Sequence, residues 1–147
     1  MKKYLLPDYD FPTFVGVTPE FLKSIGKNAV LCDIDNTLVP YDQALPTDEV
    51  CEWVKNLQNN GIKIAFVSNN EKERVEKFNE NIGIPYLYKS GKPSRKTVKR
   101  GTALLGSKYE ENHDAWRSAS YRRIDGAPFK NNGNLGAYYK KSRNTIF

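Results

Sequence analysis

The sequence contains few of the residues that build redox and transition-metal sites. It has 147 residues, of which two are cysteine, one is methionine and one is histidine. Cys32 and Cys51 lack metal-ligand spacing, and His113 alone cannot complete a zinc site with them. We therefore interpret both cysteines as reduced, partly buried thiols.

Long apolar runs are also missing. No stretch approaches the roughly 18 apolar residues that span a bilayer. At the start, "MKKYLLPDYDFP" breaks its short apolar stretch at Pro7 and Asp8, unlike a signal peptide. The length predicts one domain with a single core. We therefore expect a cytoplasmic protein without a transmembrane segment, and a peripheral contact with a membrane stays open.

Acidic residues are scarce in the last part of the chain. The net charge is +6, and the basic excess comes entirely from residues after Lys89. Such an asymmetry is typical of a tail that binds nucleic acid or an anionic membrane. It is equally expected of a tail whose origin differs from that of the rest.

Apolar periodicity predicts alternating strands and helices. The predicted strands lie within residues 29–39, 62–70 and 84–90; the first ends in an acidic loop and the second ends in polar residues. The predicted helices cover residues 46–61, 71–83 and 94–106. Thr47 is the expected N-cap of the first helix, and Trp53 and Phe78 are expected in the core. The pattern has no hairpin signals and predicts an α/β fold, a parallel sheet with crossover helices.

Near the start, four aromatic residues are expected to pack on the sheet edge: Tyr4, Tyr9, Phe11 and Phe14.

Polar clusters follow the three predicted strands, at residues 33–37, 68–70 and 89–92. Ligands of parallel α/β sheets bind at the carboxyl ends of the strands. Each cluster also has an ordinary interpretation, as loop acids, a turn or a surface lysine. Their convergence at successive strand ends favours a functional site.

The residue types in these clusters suit phosphoryl transfer. A carboxylate such as Asp33 can attack phosphorus, and Asp35 can serve as general acid and then base. Carboxylates also bind Mg²⁺, which shares its oxygen ligands with substrate phosphates. Ser68 can donate to phosphate oxygens, and Lys92 supplies positive charge to the phosphoryl group.

Three motifs resemble those of the haloacid dehalogenase (HAD) phosphohydrolases. They are "DIDNTL", "VSNN" and "GKP", in the order and with roughly the spacing of that family. More narrowly, the stretch from "VTPEFLKSIGKNAVLCDIDNTL" to "VSNN" is similar to the YqeG-type, subfamily IIIA HAD phosphatases. The similarity runs from about Tyr4 to Glu111.

The resemblance implies a three-layer HAD-like (Rossmannoid) sheet with helices on both faces and no large cap domain. It implies Asp33 as nucleophile, Asp35 as acid/base, and Ser68 and Lys92 as phosphate contacts. It also implies Mg²⁺ bound by the Asp33 carboxylate and the Asp35 backbone carbonyl. The neighbouring candidate substrate-binding residues are Asn36, Thr37, Asn69 and Asn70.

The implied substrate is a phosphorylated small molecule or a lipid head group. Eukaryotic relatives in this subfamily dephosphorylate phosphatidylglycerophosphate, which makes that lipid one candidate. The short segment from Val39 to Pro46 leaves no room for a large cap, so the resemblance implies a site open to bulky substrates.

The fourth motif of the family, GDxxxD after a fourth strand, is missing. From Asn112 onward the aliphatic side chains beyond alanine are Ile124, Leu135 and Ile146. We therefore divide the chain into an incomplete catalytic core, residues 1–111, and a basic, aromatic-containing tail, residues 112–147. We expect the C-terminal strands to be absent or disordered, Mg²⁺ to bind weakly, and turnover to be low or absent.

A shifted reading frame can restore the missing motif. Codons that encode Trp116 to Ile124, read one base later, can give "GDQLLTDVL". Codons for Asn112 to Asp114 can likewise give Ile-Met-Met, the end of a buried strand. Our hypothesis is that the chain from about Asn112 onward is a frameshift product, and whether the tail is native stays open.

The alternative is a binding module. In that interpretation a degenerate HAD scaffold uses its tail to bind RNA or an acidic surface. A third interpretation, a phosphoryl-transfer receiver domain, conflicts with the DxDxT spacing. The tail residues that would make the contacts are Tyr121, Arg122, Arg123, Tyr138, Tyr139, Lys140, Lys141 and Arg143.

Overall fold

The computed structural model describes residues 9–11, 13–91, 95–106, 119–121 and 144–146. The strands are β1 (Tyr9–Phe11), β2 (Ala29–Cys32), β3 (Lys63–Val67), β4 (Tyr86–Leu87), β5 (Ala119–Tyr121) and β6 (Asn144–Ile146). The helices are α1 (Pro19–Ser24), α2 (Asp48–Asn59), α3 (Lys72–Asn79) and α4 (Arg95–Leu104). A short 3₁₀ turn, Phe14–Gly16, precedes α1.

The strands form one sheet in the order β1-β5-β6-β2-β3-β4. Strands β2, β3 and β4 run parallel, and Leu31 lies opposite Ala65 while Val67 lies opposite Leu87. The predicted α/β fold with a parallel sheet is confirmed. Because these strands are parallel, their carboxyl ends lie at one edge of the sheet, where the three polar clusters follow.

Helices cover both faces of this sheet. Side chains alternate along each strand, so neighbouring residues point to opposite faces. On one face, Val30, Cys32, Ile64 and Phe66 pack with buried residues of α2 and α3. On the other face, Leu31, Ala65, Val67 and Leu87 pack with Val98 of α4 and with Leu105. The predicted three-layer arrangement follows from these two apolar layers.

Helix α2 has the boundaries that its sequence signals predict. The Thr47 hydroxyl accepts a hydrogen bond from the Val50 N–H over 3.2 Å, as an N-cap does. At the other end, Gly61 has φ +76°, the left-handed conformation that glycine adopts most easily after a helix. Trp53 of this helix is buried, as is Phe78 of α3, so both core predictions are confirmed.

The aromatic residues near the start pack against the core. The rings of Tyr9 and Phe11 each meet Phe21 edge-to-face, with centroids 5.0 and 4.8 Å apart. Phe14 is buried and meets Trp53 in the same way at 5.2 Å. Tyr9 and Phe11 belong to β1, the edge strand of the sheet, as predicted, whereas Phe14 packs against α2 instead. Tyr4 lies outside the described residues.

The first strand ends where the sequence places the acidic loop. Strand β2 stops at Cys32, directly before Asp33. The chain leaves the sheet because the Ile34 carbonyl accepts hydrogen bonds from the N–H groups of Thr37 and Leu38, over 3.1 and 2.9 Å. Ile34, Leu38 and Val39 are buried as loop residues of the core.

The expectation that the tail contributes no strand is wrong. Strand β6 pairs antiparallel with β2 at Cys32 and Ile146, and it pairs antiparallel with β5, which runs parallel to β1. The free edge of β2 presents backbone N–H and C=O groups, and backbone pairing needs no particular side chain. The division at residue 111 stays a prediction.

The tail residues proposed to bind RNA lie outside the described residues, except Tyr121, of which only the backbone in β5 is described. Within the described part of the chain, no helix is both long and apolar enough to cross a membrane.

Candidate active site

The acid loop, residues 33–39, is a compact turn that follows β2. The Asn36 N–H donates to the Val39 carbonyl over 2.7 Å, and Asn36 has φ +57°, a left-handed conformation that asparagine tolerates. The Asn36 side chain accepts from the Tyr41 N–H over 3.2 Å. The loop therefore has a fixed backbone on which Asp33 and Asp35 are held.

Asp33 is oriented by two hydrogen bonds from its own loop. The N–H of Ile34 donates to Oδ1 over 2.8 Å, and the hydroxyl of Thr37 donates to Oδ2 over 3.3 Å. Thr37 is buried, whereas Asp33 is half-buried at the end of β2. The predicted nucleophile thus lies at the surface of the core with its carboxylate directed by a buried hydroxyl.

Asp35 connects the acid loop to the loop after β3. The Asn70 side-chain amide donates to its Oδ2 over 3.1 Å. Arg74 donates to its Oδ1 from Nη2 at 2.7 Å and from Nε at 3.2 Å. The Asp35 and Arg74 side chains are 13% and 15% exposed, so this ion pair is mostly shielded from water.

The second polar cluster is both a turn and part of the site. Ser68 is buried, and its Oγ accepts from the Asn70 N–H over 3.1 Å. The Asn70 side-chain oxygen in turn accepts from the Glu71 N–H over 2.8 Å, just before α3 begins. These bonds aim the Asn70 amide at Asp35.

The third polar cluster is aligned on the second by backbone hydrogen bonds. The Lys89 N–H donates to the Asn70 carbonyl and the Ser90 N–H donates to the Ser68 carbonyl, each over 2.9 Å. The Ser90 hydroxyl also donates to Asn69 Oδ1 over 2.8 Å. Lys92, the predicted phosphate contact of this cluster, lies outside the described residues.

An exposed ion pair joins the same two loops at the surface. Lys89 Nζ lies 2.9 Å from Glu71 Oε2, and both side chains are more than half exposed. The hydrogen bond to Glu71 and the attraction of its charge raise the pKa of Lys89, which is charged in any case at neutral pH. Because the pair is exposed, it contributes little to stability.

The structure brings the predicted residues together in part. Asp33 contacts Thr37, and Asp35 contacts Asn70. Asn36 bonds to Tyr41, and Asn69 bonds to Ser90. The roles that the resemblance implies for these residues stay predictions.

Two further residues of the site, Arg74 and Ser90, are not among those that the sequence predicts. A sequence signal exists for Arg74, since it lies one turn into the helix that begins beside the second cluster. For Ser90 the signal is its position inside the third cluster.

The oxygen atoms of the acid loop fit a Mg²⁺ site in which the protein supplies few of the ligands. The Asp33 carboxylate and the Asp35 carbonyl are the hard oxygen ligands that Mg²⁺ prefers, and this ion commonly completes its shell with water and substrate phosphate. Both carboxylate oxygens of Asp35 already accept hydrogen bonds, which leaves its carbonyl for the metal. Among the described residues, no three His, Cys, Asp or Glu side chains form a metal-binding group.

Comparisons with known proteins find similarity to hydrolases. A family model described as haloacid dehalogenase-like hydrolase matches residues 30–91. The chain is 38% identical over 111 residues to the "Probable phosphatase YqeG" of Bacillus subtilis (strain 168), an alignment that covers 76% of this chain and 64% of that protein. The chain thus spans less than two thirds of that relative's length, and no solved structure matches it.

The family match includes the acid loop, the second cluster and Arg74. Over the residues that these matches cover, the chain is similar to the HAD-like hydrolases and, more narrowly, to the YqeG-type phosphatase.

Proposed function

We propose that the protein is a Mg²⁺-dependent phosphomonoester hydrolase that works through an aspartyl-phosphate intermediate. The observation that carries the proposal is the contact between Asp35 and Asn70, which joins the loops after β2 and β3 beside Asp33. A nucleophilic carboxylate, a second carboxylate and amide donors then lie at the same edge of a parallel sheet. This is the place where such sheets bind ligands.

In the first step, an Asp33 carboxylate oxygen attacks phosphorus and the ester P–O bond breaks. The leaving alkoxide takes a proton from the carboxylic acid form of Asp35, so an alcohol departs and an aspartyl-phosphate remains. The Thr37 hydroxyl and the Ile34 N–H hold the Asp33 carboxylate in one orientation, which lowers the cost of reaching the attack geometry.

In the second step, water attacks phosphorus and gives a proton to the Asp35 carboxylate. The acyl–phosphate bond breaks, phosphate leaves, and the Asp33 carboxylate is regenerated. Both Asp35 oxygens accept hydrogen bonds in the structure, from Arg74 and from Asn70. This arrangement fits the base form of Asp35, which the second step requires.

Mg²⁺, when bound, would offset the negative charge of the phosphoryl oxygens during attack by a carboxylate. The Asp33 carboxylate and the Asp35 carbonyl would hold it. Lys92 would add positive charge from the third cluster, and Ser68 would contact the phosphate.

The proposed substrate is a phosphorylated small molecule or a lipid head group such as phosphatidylglycerophosphate. The segment between the acid loop and α2 is short and forms no cap domain. Tyr41 and Leu45 of this segment are 64% and 50% exposed. An open rim with exposed apolar side chains supports access by a bulky substrate. Neither Cys32 nor Cys51 forms a disulfide, as expected in a reducing compartment, and this supports a cytoplasmic location.

The test is turnover of p-nitrophenyl phosphate with Mg²⁺ and with excess EDTA, for the wild type and for Asp33→Asn. We expect turnover that is low, because the fourth motif is missing, that depends on Mg²⁺, and that falls to background in the variant, because an amide cannot form the aspartyl-phosphate. Asp33→Asn should keep the circular dichroism spectrum of the wild type, since an amide oxygen still accepts from Ile34.

Asp42→Asn is the matched control, because Asp42 is an exposed carboxylate of the segment that follows the acid loop. This variant should keep the wild-type rate. Undiminished turnover by Asp33→Asn would remove Asp33 from its proposed role, and turnover that survives EDTA would remove the metal.

A further inference from the structure

We propose that Arg74 is a positioning residue that couples the acid/base Asp35 to the backbone of Gln43 and Ala44. The role of Asp35 in this inference rests on the proposed function. The coupling itself rests on contacts in the structure, and it can be tested without measuring activity.

The guanidinium group of Arg74 uses all three of its nitrogen atoms. Nε and Nη2 donate to Asp35 Oδ1, Nη2 also donates to the Gln43 carbonyl over 2.6 Å, and Nη1 donates to the Ala44 carbonyl over 2.8 Å. One face of the group lies over the Phe78 ring, 5.6 Å from its centroid. The planar group is therefore fixed along its edges and on one face.

The helix that carries Arg74, α3, is packed tightly against the core. Val75 and Phe78 of α3 are fully buried in the core, so the Arg74 backbone is anchored to the sheet. The residues that Arg74 holds are loop residues, Asp35 on one side and Gln43 and Ala44 on the other. The guanidinium thus connects two loop segments through a rigid helix.

Charge and shape both require arginine at this position. A charge-assisted hydrogen bond to a carboxylate is roughly twice as strong as a neutral one, and the pair here is mostly shielded from water. Lysine presents a single ammonium group, which cannot reach one carboxylate and two separate carbonyl groups with the geometry of a planar fork. Without Arg74, Asn70 would be the remaining hydrogen-bond donor to the Asp35 carboxylate among the described residues.

The first test is hydrogen exchange of the backbone amides, measured in the full chain without substrate. The Tyr41 and Gln43 amides donate to Asn36 Oδ1 and to the Pro40 carbonyl, so they are protected while this segment keeps its conformation. We expect Arg74→Ala to speed their exchange about tenfold, the equivalent of losing about one hydrogen bond. Arg74→Lys, which is the milder change if the alanine variant folds poorly, should speed it less.

The matched control is Lys72→Ala on the same helix. Lys72 is half exposed and pairs with Glu76 at 3.7 Å, whereas the bonds to Asp35, Gln43 and Ala44 come from Arg74 and Asn70. Its removal should leave the exchange of Tyr41 and Gln43 unchanged. Equal exchange in the wild type, Arg74→Ala and Arg74→Lys would overturn the coupling.

The second test compares an alkyl phosphate with p-nitrophenyl phosphate as substrates. A poor leaving group needs a proton from the general acid, whereas p-nitrophenolate leaves without one. We expect Arg74→Ala to lower kcat about a hundredfold for the alkyl ester, because misplacing a catalytic group slows a reaction by about this factor. For the aryl ester we expect a decrease of about tenfold or less. A merely structural role would lower both rates by the same factor and would overturn the positioning role.

Added guanidinium ion gives a further readout. Millimolar guanidinium should restore part of the alkyl-ester rate in Arg74→Ala, and it should not do so in Lys72→Ala. If the wild type turns over neither ester, the proposed function fails for this chain. Hydrogen exchange then still decides whether Arg74 couples the two segments.

Discussion

The hydroxyl of Thr37 donates to Asp33 Oδ2 over 3.3 Å, from a side chain that is 4% exposed. A buried hydroxyl thus reaches the carboxylate that the family resemblance makes the nucleophile. The contact closes the acid loop on itself, since the two residues lie four positions apart. The threonine of "DIDNT" therefore orients the Asp33 carboxylate.

Replacing Thr37 with valine should therefore slow the reaction more than it weakens the fold. Valine keeps the shape but leaves Asp33 Oδ2 without this donor, and we expect kcat to fall about tenfold while the free energy of unfolding falls by about 1 kcal/mol. Steady-state kinetics and urea denaturation measure the two effects. Thr37→Ser, which keeps the hydroxyl, should retain most of the rate. Equal rates for the valine and serine variants would contradict the role of the hydroxyl.

The Trp53 side chain connects α2 to the segment before α1. Its Nε1–H donates to the Val17 carbonyl over 3.0 Å, and both residues are buried. Phenylalanine at position 53 would leave this carbonyl without its partner, so we expect Trp53→Phe to lower the free energy of unfolding by about 1–3 kcal/mol. Chemical denaturation followed by circular dichroism gives the value. If the free energy of unfolding falls by less than about 0.5 kcal/mol, which is about the error of such a comparison, the Val17 carbonyl has found another donor.

The pKa of Tyr86 should lie above the ordinary pKa of a tyrosine. Its hydroxyl donates to Glu76 Oε1 over 2.7 Å, and this bond, aided by some burial and by the nearby negative charge, raises its pKa. The neutral phenol is favoured in the folded state. The resulting stabilisation is present below the unfolded-state pKa of about 10 and is lost as pH rises through the folded-state pKa.

An NMR titration of tyrosine Cζ should show this shift directly. Glu76→Ala should bring the Tyr86 pKa down toward its ordinary value. Glu80→Ala removes an exposed acid near the end of the same helix and serves as the control. An unchanged Tyr86 titration in Glu76→Ala would remove the hydrogen bond as the cause.

The coding DNA from codon 105 to beyond the stop codon decides the origin of the tail. We predict that independent clones will show a single-base error whose correction restores "GDQLLTD" near Trp116. A protein with the corrected frame should bind Mg²⁺ more tightly and turn over faster, because the family resemblance implies that the fourth-motif acids complete the metal site. If every clone confirms the present frame, the tail is genuine and the frameshift hypothesis is wrong.

Local signals in the sequence predicted the parts of the fold that depend on local physics. The cap at Thr47, the left-handed glycine at Gly61 and the burial of Trp53 and Phe78 follow from side-chain chemistry within one or two turns of a helix. Apolar runs predicted the strands, and Asp33 marked the end of β2. Composition did not predict that Ile34, Leu38 and Val39 are buried as loop residues, because a buried loop has the same apolar composition as a buried strand.

By itself, the sequence determined the α/β class, the parallel order of the strands that precede the polar clusters, and the edge where those clusters meet. Only the tertiary structure decided which side chains touch there. The pairing of Asp35 with Arg74 spans 39 positions, and nothing in local propensity fixes so distant a contact. It depends on how α3 packs against β3, and on the low exposure that makes an unpaired carboxylate costly at that place.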